Sequence, residues 1–267
     1  MRASFAISGK GGTGKTTLAA LIINTLKNQG KTPVLAIDAD ANFNLNELLG
    51  VKIEATIGAL REEILKEKIP SGMAKETFLE YRIQEILTEA NGFDLLVMGR
   101  SEGSGCYCYV NNVLRKYMDI LSQSYPFVVM DNEAGMEHLS RKTTQSVDYL
   151  LISSDSSLRG IEAASRIRDL AIDLDLKIKE SFLVVSRVSP DGLHPALEEA
   201  IKEKKLELIG TIPEDPLVQE FELSRKSLLE LPASSGALKS AEEMVNKIFK
   251  KQSRVESQES RVKRQAS

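Results

Sequence analysis

Short apolar runs alternate with longer segments of helical periodicity along most of the chain. The runs are rich in β-branched residues and are apolar at successive positions, which is typical of strands buried on both faces. Regular alternation of strand and helix predicts an α/β fold with a mostly parallel sheet and helices on both of its faces. The predicted strands are 3–8, 33–40, 94–99, 127–131, 149–154, 181–187 and 208–213.

The pattern changes near residue 250, where apolar residues almost disappear and basic residues exceed acidic ones. A segment that cannot bury apolar surface is predicted to be disordered. We therefore expect one α/β domain over 1–250 and a disordered basic tail over 251–267, in a chain whose length suits one large sheet domain. An anchoring role for the tail on a membrane or a nucleic acid is the alternative, but the tail has no apolar face.

The composition limits the partners that this protein is expected to have. A net charge of −3 and the absence of tryptophan argue against a nucleic-acid surface. No apolar run approaches the roughly 20 residues of a membrane span. The two cysteines, Cys106 and Cys108, are too close in sequence to form an unstrained disulfide. We expect a cytoplasmic protein that binds neither nucleic acid nor membrane.

The segment Gly9–Thr17 has the pattern of a phosphate-binding loop, G-x-x-x-x-G-K-[ST], between a predicted strand and a predicted helix over 15–28. Its glycines allow backbone N–H groups to surround a phosphate at the positive end of the helix dipole. Lys15 is predicted to neutralise β- and γ-phosphate oxygens, and the Thr16 hydroxyl to bind Mg²⁺. A glycine-rich turn without a ligand is the alternative. The predicted binding residues are Gly11, Gly12, Thr13, Gly14, Lys15, Thr16 and Thr17.

Lys10 adds a second lysine at the exposed rim of this loop. Its ammonium can reach the nucleotide of a second subunit, as an arginine finger does, which predicts a homodimer with a shared active site. A solvated surface lysine is the alternative. The motif K-G-G-x-G-K-[ST] resembles the deviant Walker A ATPases, the family of nitrogenase iron protein, the chromosome-partitioning and septum-site ATPases and the metallocluster-maturation ATPases.

Aspartates follow two of the predicted strands. Asp131 ends an apolar strand and is predicted to hold Mg²⁺ directly or through water, as in a Walker B motif. The resemblance implies that Asp38 faces the Mg²⁺ region, that Asp40 positions the attacking water, and that the N–H of Gly135 senses the γ-phosphate. Solvated carboxylates at a strand end are the alternative for the pair at 38 and 40.

The resemblance also indicates where the base binds. Family members often carry Asn-Arg after a late strand and a proline-containing loop after the next. This chain has Ser186, Arg187 and Pro213 at those places. Ser186 therefore stands where an amide would contact the purine, which departs from the family pattern. Pro213 and the backbone after it can still frame an adenine ring, and we expect ATP rather than GTP.

Cys106 and Cys108 are separated by one residue in a glycine-rich segment. In extended backbone this spacing places both sulfurs on one face, within reach of one metal ion. A structural zinc site takes four ligands, so two such pairs meeting across a two-fold axis would complete it. Two unliganded thiols are the alternative.

The segments 98–112 and 131–138 together resemble the CooC-type accessory ATPases, and the likeness extends over about residues 1–250. This resemblance implies an ATP-dependent metallochaperone that inserts nickel into carbon monoxide dehydrogenase or acetyl-CoA synthase. Nickel is implied by the resemblance alone, since thiolates also suit zinc and copper(I). The rival hypotheses are a partitioning or positioning ATPase switch, which leaves the cysteines unexplained, and an iron–sulfur redox ATPase.

Overall fold

The strands and helices of this protein alternate along the chain. The computed structural model describes residues 2–66, 70, 72–100, 120–134 and 146–265. Its strands are β1 (Ala3–Gly9), β2 (Val34–Asp38), β3 (Thr88–Ala90), β4 (Phe93–Val97), β5 (Phe127–Asp131), β6 (Ser146–Ser154), β7 (Lys177–Val188) and β8 (Leu208–Pro213). Its helices are α1 (Lys15–Asn28), α2 (Leu45–Leu49), α3 (Ile57–Lys66), α4 (Lys75–Ile86), α5 (Leu158–Asp173), α6 (Pro195–Glu203), α7 (Pro216–Leu223) and α8 (Gly236–Gln265).

The described strands form one eight-stranded sheet in the order β3-β4-β2-β5-β1-β6-β7-β8. Every pairing is parallel except that of β3 with β4, so the predicted α/β fold with a mostly parallel sheet is confirmed. Sequence reasoning missed β3 because this three-residue edge strand contains Thr88 and Glu89 and is not fully buried.

Two apolar cores cover the two faces of the sheet. Phe5 and Ile7 of β1 pack in one core with α1 and α8, whereas Ala6 lies in the other core with residues of α3 to α6. Successive side chains of a strand point to opposite faces, which explains why the buried strands are apolar at every position.

Helix α8 extends to Gln265, through the segment that composition predicts to be disordered. Its first half is anchored by Met244, Val245, Ile248 and Phe249, which are buried in the core beside α1. Lys, Arg, Glu and Gln are good helix formers, and elongation from a packed helix requires no new nucleation. Within the described residues, no helix combines the length and the apolar character needed to span a membrane.

The connections around β1 create a crevice at one edge of the sheet. The chain passes from β1 through α1 to β2 on one side, and it later places β6 on the other side of β1. In open α/β sheets, ligands bind where the connections lead to opposite sides of a strand, in the crevice outside the carboxyl ends of the strands. The phosphate-loop sequence follows β1 directly, and it therefore lies at this crevice.

Candidate functional site

The loop between β1 and α1 has the backbone geometry of an anion cradle. Gly12 and Gly14 have φ angles of +79° and +82°, which glycine adopts without steric penalty. Thr13 Oγ1 donates a 2.9 Å hydrogen bond to the Lys10 carbonyl and closes the turn. None of the described side chains caps the first turn of α1, so its N–H groups and its dipole are available to a phosphate.

Ser153, at the end of β6, supports this loop from beneath. It is buried, and its hydroxyl donates a 2.7 Å hydrogen bond to the Thr13 carbonyl. A side chain at Gly9 would collide with the Ser153 carbonyl, so glycine is required where the two strands approach each other. Sequence reasoning missed Ser153, because nothing in an apolar strand marks one serine as a partner of a distant loop.

The two lysines of the loop occupy different environments. Lys15 is 8 % exposed, and its Nζ lies 3.5 Å from the Lys10 carbonyl oxygen, inside the turn. The side chain of Lys10 is exposed, together with Gly11 and Gly12. Lys15 can therefore act on a phosphate held by its own loop, whereas Lys10 is accessible to a second molecule.

Asp131 ends β5 with an incompletely satisfied carboxylate. It is 1 % exposed, and among the described residues no donor reaches its buried Oδ1. Burial raises its pKa to about 7, although a hydrogen bond from Thr16 and the charge of Lys15 oppose the shift. A buried carboxylate oxygen beside a hydroxyl fits Mg²⁺, which prefers oxygen ligands. Asp131 and Thr16 would hold the ion, whose bound charge would offset that of the phosphates.

Asp38 ends β2 opposite Asp131 in the parallel register, but its oxygens are engaged. Oδ2 accepts hydrogen bonds from the N–H groups of Asn44 and Leu45 at 3.0 and 2.9 Å. Oδ1 accepts one from the Asp40 N–H at 3.1 Å. Burial raises the pKa of Asp38, and these three backbone donors oppose that rise. Asp38 therefore fixes the loop that connects β2 to α2.

Asp40 lies on this loop and lines the cavity. Its Oδ1 accepts a 2.8 Å hydrogen bond from the Asn42 N–H, and its own N–H is held by Asp38. The strand ends at Asp38, so Asp40 belongs to a turn and not to a continuing strand. The Asp40 carboxylate is thus held in a defined position beside the phosphate loop.

The cavity above the phosphate loop has a volume of about 600 Å³, within the range of small-molecule sites. Ser186, Arg187 and Pro213 all line it, as do residues of the phosphate loop. Arg187 has a φ angle of +55°, and its guanidinium donates a hydrogen bond to the Gly12 carbonyl.

Ser186 is buried beneath the loop, with its Oγ 3.5 Å from Ser153 Oγ. A Cβ at Gly14 would lie 3.6 Å from Ser186 Cβ, so this serine supports the backbone of the loop. Glu222 of α7 is a further residue at this site, and it accepts a 3.1 Å hydrogen bond from Thr17. Sequence reasoning missed Glu222 because its partner lies on a different helix.

Three predicted site residues, Gly135, Cys106 and Cys108, lie outside the described residues. Within the part of the chain that the structure describes, no group of three or more His, Cys, Asp and Glu side chains is arranged to hold a metal ion. His194 caps α6 through its ring Nδ1, which accepts a 3.2 Å hydrogen bond from the Ala196 N–H. The C-x-C metal site stays a prediction.

Comparisons with known proteins agree with this geometry. Residues 4–228 match the profile of the CobQ/CobB/MinD/ParA nucleotide binding domain, CbiA. An uncharacterized ATP-binding protein of Methanocaldococcus jannaschii is 45 % identical, over 92 % of this chain and 98 % of its own length. The carbon monoxide dehydrogenase accessory protein CooC of Rhodospirillum rubrum is 30 % identical, over 85 % of this chain and 89 % of its own. The septum site-determining protein MinD of Pyrococcus horikoshii, complexed with Mg-ADP, superposes with a TM-score of 0.66 at 20 % identity, covering 93 % and 96 % of the two chains.

Proposed function

We propose that this chain, which belongs to the CobQ/CobB/MinD/ParA family of nucleotide-binding proteins, is an ATP-dependent metallochaperone. In this proposal a homodimer couples ATP hydrolysis to the insertion of nickel into carbon monoxide dehydrogenase or acetyl-CoA synthase. The observation that carries it is the 30 % identity with the accessory protein CooC over most of both chains. The C-x-C pair at Cys106 and Cys108 supplies thiolate ligands for the metal cargo.

The described residues can supply the parts that ATP hydrolysis needs. The amides that follow Gly12 and the first turn of α1 would bind the phosphates, and the enclosed Lys15 would neutralise charge on the β- and γ-oxygens. Asp40 would orient the attacking water, because its carboxylate lines the cavity. Pro213 and Arg187 would border the base, for which we propose adenine.

The exposure of Lys10 supports its assignment to the nucleotide of a second subunit. We expect Lys10→Ala to abolish hydrolysis and leave ATP binding largely intact, because the ammonium would act mainly on charge that develops in the partner's transition state. Lys15→Ala is the matched control and should weaken binding itself, since Lys15 lies inside the turn. Equilibrium binding of a fluorescent ATP analogue and phosphate release would measure the two effects. An equal loss of binding in both variants would contradict the assignment across subunits.

The metal site gives the most direct test of the proposed function. The anaerobically purified protein, loaded with Ni²⁺ or Zn²⁺ and analysed for metal, should hold about one ion per dimer, because one tetrathiolate needs both chains. Cys106→Ala and Cys108→Ala should each remove the ion, while part of the ATP hydrolysis survives. Binding should fall at acidic pH, where the thiolates are protonated.

The fold likeness to MinD favours a second candidate, a positioning or partitioning type of ATPase switch. Such a switch does not require the cysteines. Metal binding that is unchanged in the Cys106→Ala, Cys108→Ala double variant would overturn the metallochaperone and favour the switch. An iron–sulfur chromophore in the anaerobic protein would indicate a redox ATPase instead.

A further inference from the structure

Two consecutive carbonyls of the phosphate loop accept hydrogen bonds from residues outside the loop. The Gly12 carbonyl accepts one from the guanidinium of Arg187, and the Thr13 carbonyl accepts a 2.7 Å bond from the Ser153 hydroxyl. Thr13 and Ser153 are both buried, so the second bond is shielded from water. Loss of the Ser153 hydroxyl would therefore leave a buried carbonyl without this donor, which is costly.

The bond from Ser153 fixes the direction of the Gly14 N–H group. The peptide unit between Thr13 and Gly14 is planar and trans, so its carbonyl and its N–H point in opposite directions. Gly14 and Lys15 line the nucleotide cavity, whereas Thr13 and Ser153 do not. The Thr13 carbonyl is thus turned toward Ser153, and the Gly14 N–H is turned toward the cavity. Among the described residues no acceptor receives this N–H, so it is available to a phosphate.

Steric repulsion alone would not keep this peptide in that orientation. A half-turn of the peptide plane would exchange the directions of the carbonyl and the N–H, and it would change φ of Gly14 from +82° to a negative value. Glycine adopts both signs of φ about equally readily, so its backbone does not resist the rotation. The rotated Thr13 carbonyl would present negative partial charge to a phosphate. The hydrogen bond from Ser153 opposes the rotation, because the rotation breaks it.

Ser186 places a second hydroxyl beside that of Ser153. The two Oγ atoms lie 3.5 Å apart, and both side chains are buried. A hydroxyl has one proton to donate, and Ser153 donates its proton to the Thr13 carbonyl. Ser186 is therefore the donor within the pair, and its bond favours the rotamer in which the Ser153 hydroxyl points at Thr13. The residue at the position expected to contact the purine thus acts on the loop as well.

We propose that Ser153 is a positioning residue for the nucleotide phosphates and that Ser186 assists it. The two hydroxyls hold the peptide between Thr13 and Gly14 with its N–H toward the cavity before a nucleotide arrives. This order raises affinity, because the apparent dissociation constant varies inversely with the fraction of protein that is competent to bind. The inference rests on one part of the proposed function, the binding of ATP by this loop, and it does not depend on the metal site.

The experiment measures how tightly the full-length protein binds ATP and inorganic tripolyphosphate, each with Mg²⁺, in competition with a fluorescent ATP analogue. We expect Ser153→Ala to weaken both ligands about tenfold, because the Thr13 carbonyl loses the donor that favours the binding orientation. Ser186→Ala should weaken both about twofold to threefold, since its bond is longer. In steady-state hydrolysis, Ser153→Ala should raise KM for ATP and keep kcat within about twofold of the parent, because saturating ATP restores the binding orientation.

Ser154→Ala is the matched control. Ser154 is the next residue of β6 and is 1 % exposed, but its hydroxyl donates a 2.9 Å hydrogen bond to the Asp155 carbonyl and not to the phosphate loop. The substitution removes the same atom from a similar depth, so both affinities should stay at the parent values. A loss in Ser154→Ala equal to that in Ser153→Ala would indicate a general loss of structure and would overturn the inference.

The two ligands separate the remaining outcomes. Weaker binding of ATP with unchanged binding of tripolyphosphate would mean that the serines act on the base, and it would overturn the inference. If Ser153→Ala does not fold, the tripolyphosphate affinity of Ser186→Ala decides in the same way. A parent protein that binds neither ligand would overturn the proposed function together with the inference. Affinities equal to those of the parent in Ser153→Ala and Ser186→Ala would overturn the inference alone.

Discussion

The carboxyl ends of β2 and β5 place two aspartates side by side, and the hydrogen bonding of their carboxylates differs. Asp38 and Asp131 are register partners, with exposures of 0 % and 1 %. The Asp38 carboxylate accepts hydrogen bonds from three backbone N–H groups. Asp131 accepts a hydrogen bond from the Thr16 hydroxyl, whereas no donor among the described residues reaches its Oδ1.

This difference indicates two functions for one residue type. Burial of a carboxylate is costly unless donors or a cation compensate it. The backbone compensates Asp38, which makes that residue an organiser of the loop that carries Asp40. Among the described residues no protein group donates to Asp131 Oδ1, and we propose that this oxygen binds Mg²⁺. Asp38 lies beside Asp131, and so next to the proposed magnesium site, but its oxygens are engaged by backbone amides.

The largest expected effect is that of Asp131→Asn on hydrolysis. We expect the rate with Mg²⁺ and ATP to fall about 100-fold or more, because an amide lacks the charge to hold the ion and stabilisation of the transition state is lost. The fold should persist, since asparagine carries no buried charge. Steady-state phosphate release across a Mg²⁺ titration, beside a thermal melt, measures both quantities. A rate within about twofold of the parent would remove Asp131 from the proposed magnesium site.

The matched variant, Asp38→Asn, should mainly affect stability. The NH₂ group of asparagine would face at least one backbone donor, so we expect the free energy of unfolding to fall by about 2–3 kcal/mol. Urea denaturation of the two variants side by side measures the contrast. If Asp38→Asn were as stable as the parent and lost Mg²⁺ affinity instead, the division between the two aspartates would be wrong.

The sequence predicted the regular elements of the central sheet well. The bounds of α1, β5 and β8 agree with those observed, because each is a continuous pattern with a clear start and end. The edge strand β3 was missed, since its residues carry no apolar run. The helical backbone of α8 beyond 250 was also not predicted, because composition describes the lack of a core but not the continuation of a packed helix.

The site was predictable where its residues are contiguous. The phosphate loop is one segment, so its glycines and Lys15 are evident from spacing. Ser153 and Glu222 contact this loop from strands and helices distant in sequence, and no local pattern predicts such contacts. The amide bonds of Asp38 depend on the turn after β2, which spacing alone does not reveal.

The smallest expected effect is the pH dependence of stability in the metal-free protein. Burial raises the pKa of Asp131 from 3.8 to about 7, so between these values the folded state binds more protons than the unfolded state. Stability must therefore fall as the pH rises through this window, by about 1 kcal/mol between pH 6 and 7 and by about 0.4 kcal/mol more between pH 7 and 8, with little further change from Asp131 above pH 8. Asp131→Asn cannot titrate and should lack this component. The raised pKa of Asp38 acts in the same direction in both proteins. Because the charges of Asp38 and Asp131 interact, the difference between the proteins reports Asp131 together with its coupling to Asp38. Urea denaturation with EDTA at pH 6, 7 and 8 measures that difference, and parallel curves for the two proteins would show that the Asp131 carboxylate is ionised at neutral pH even without a cation.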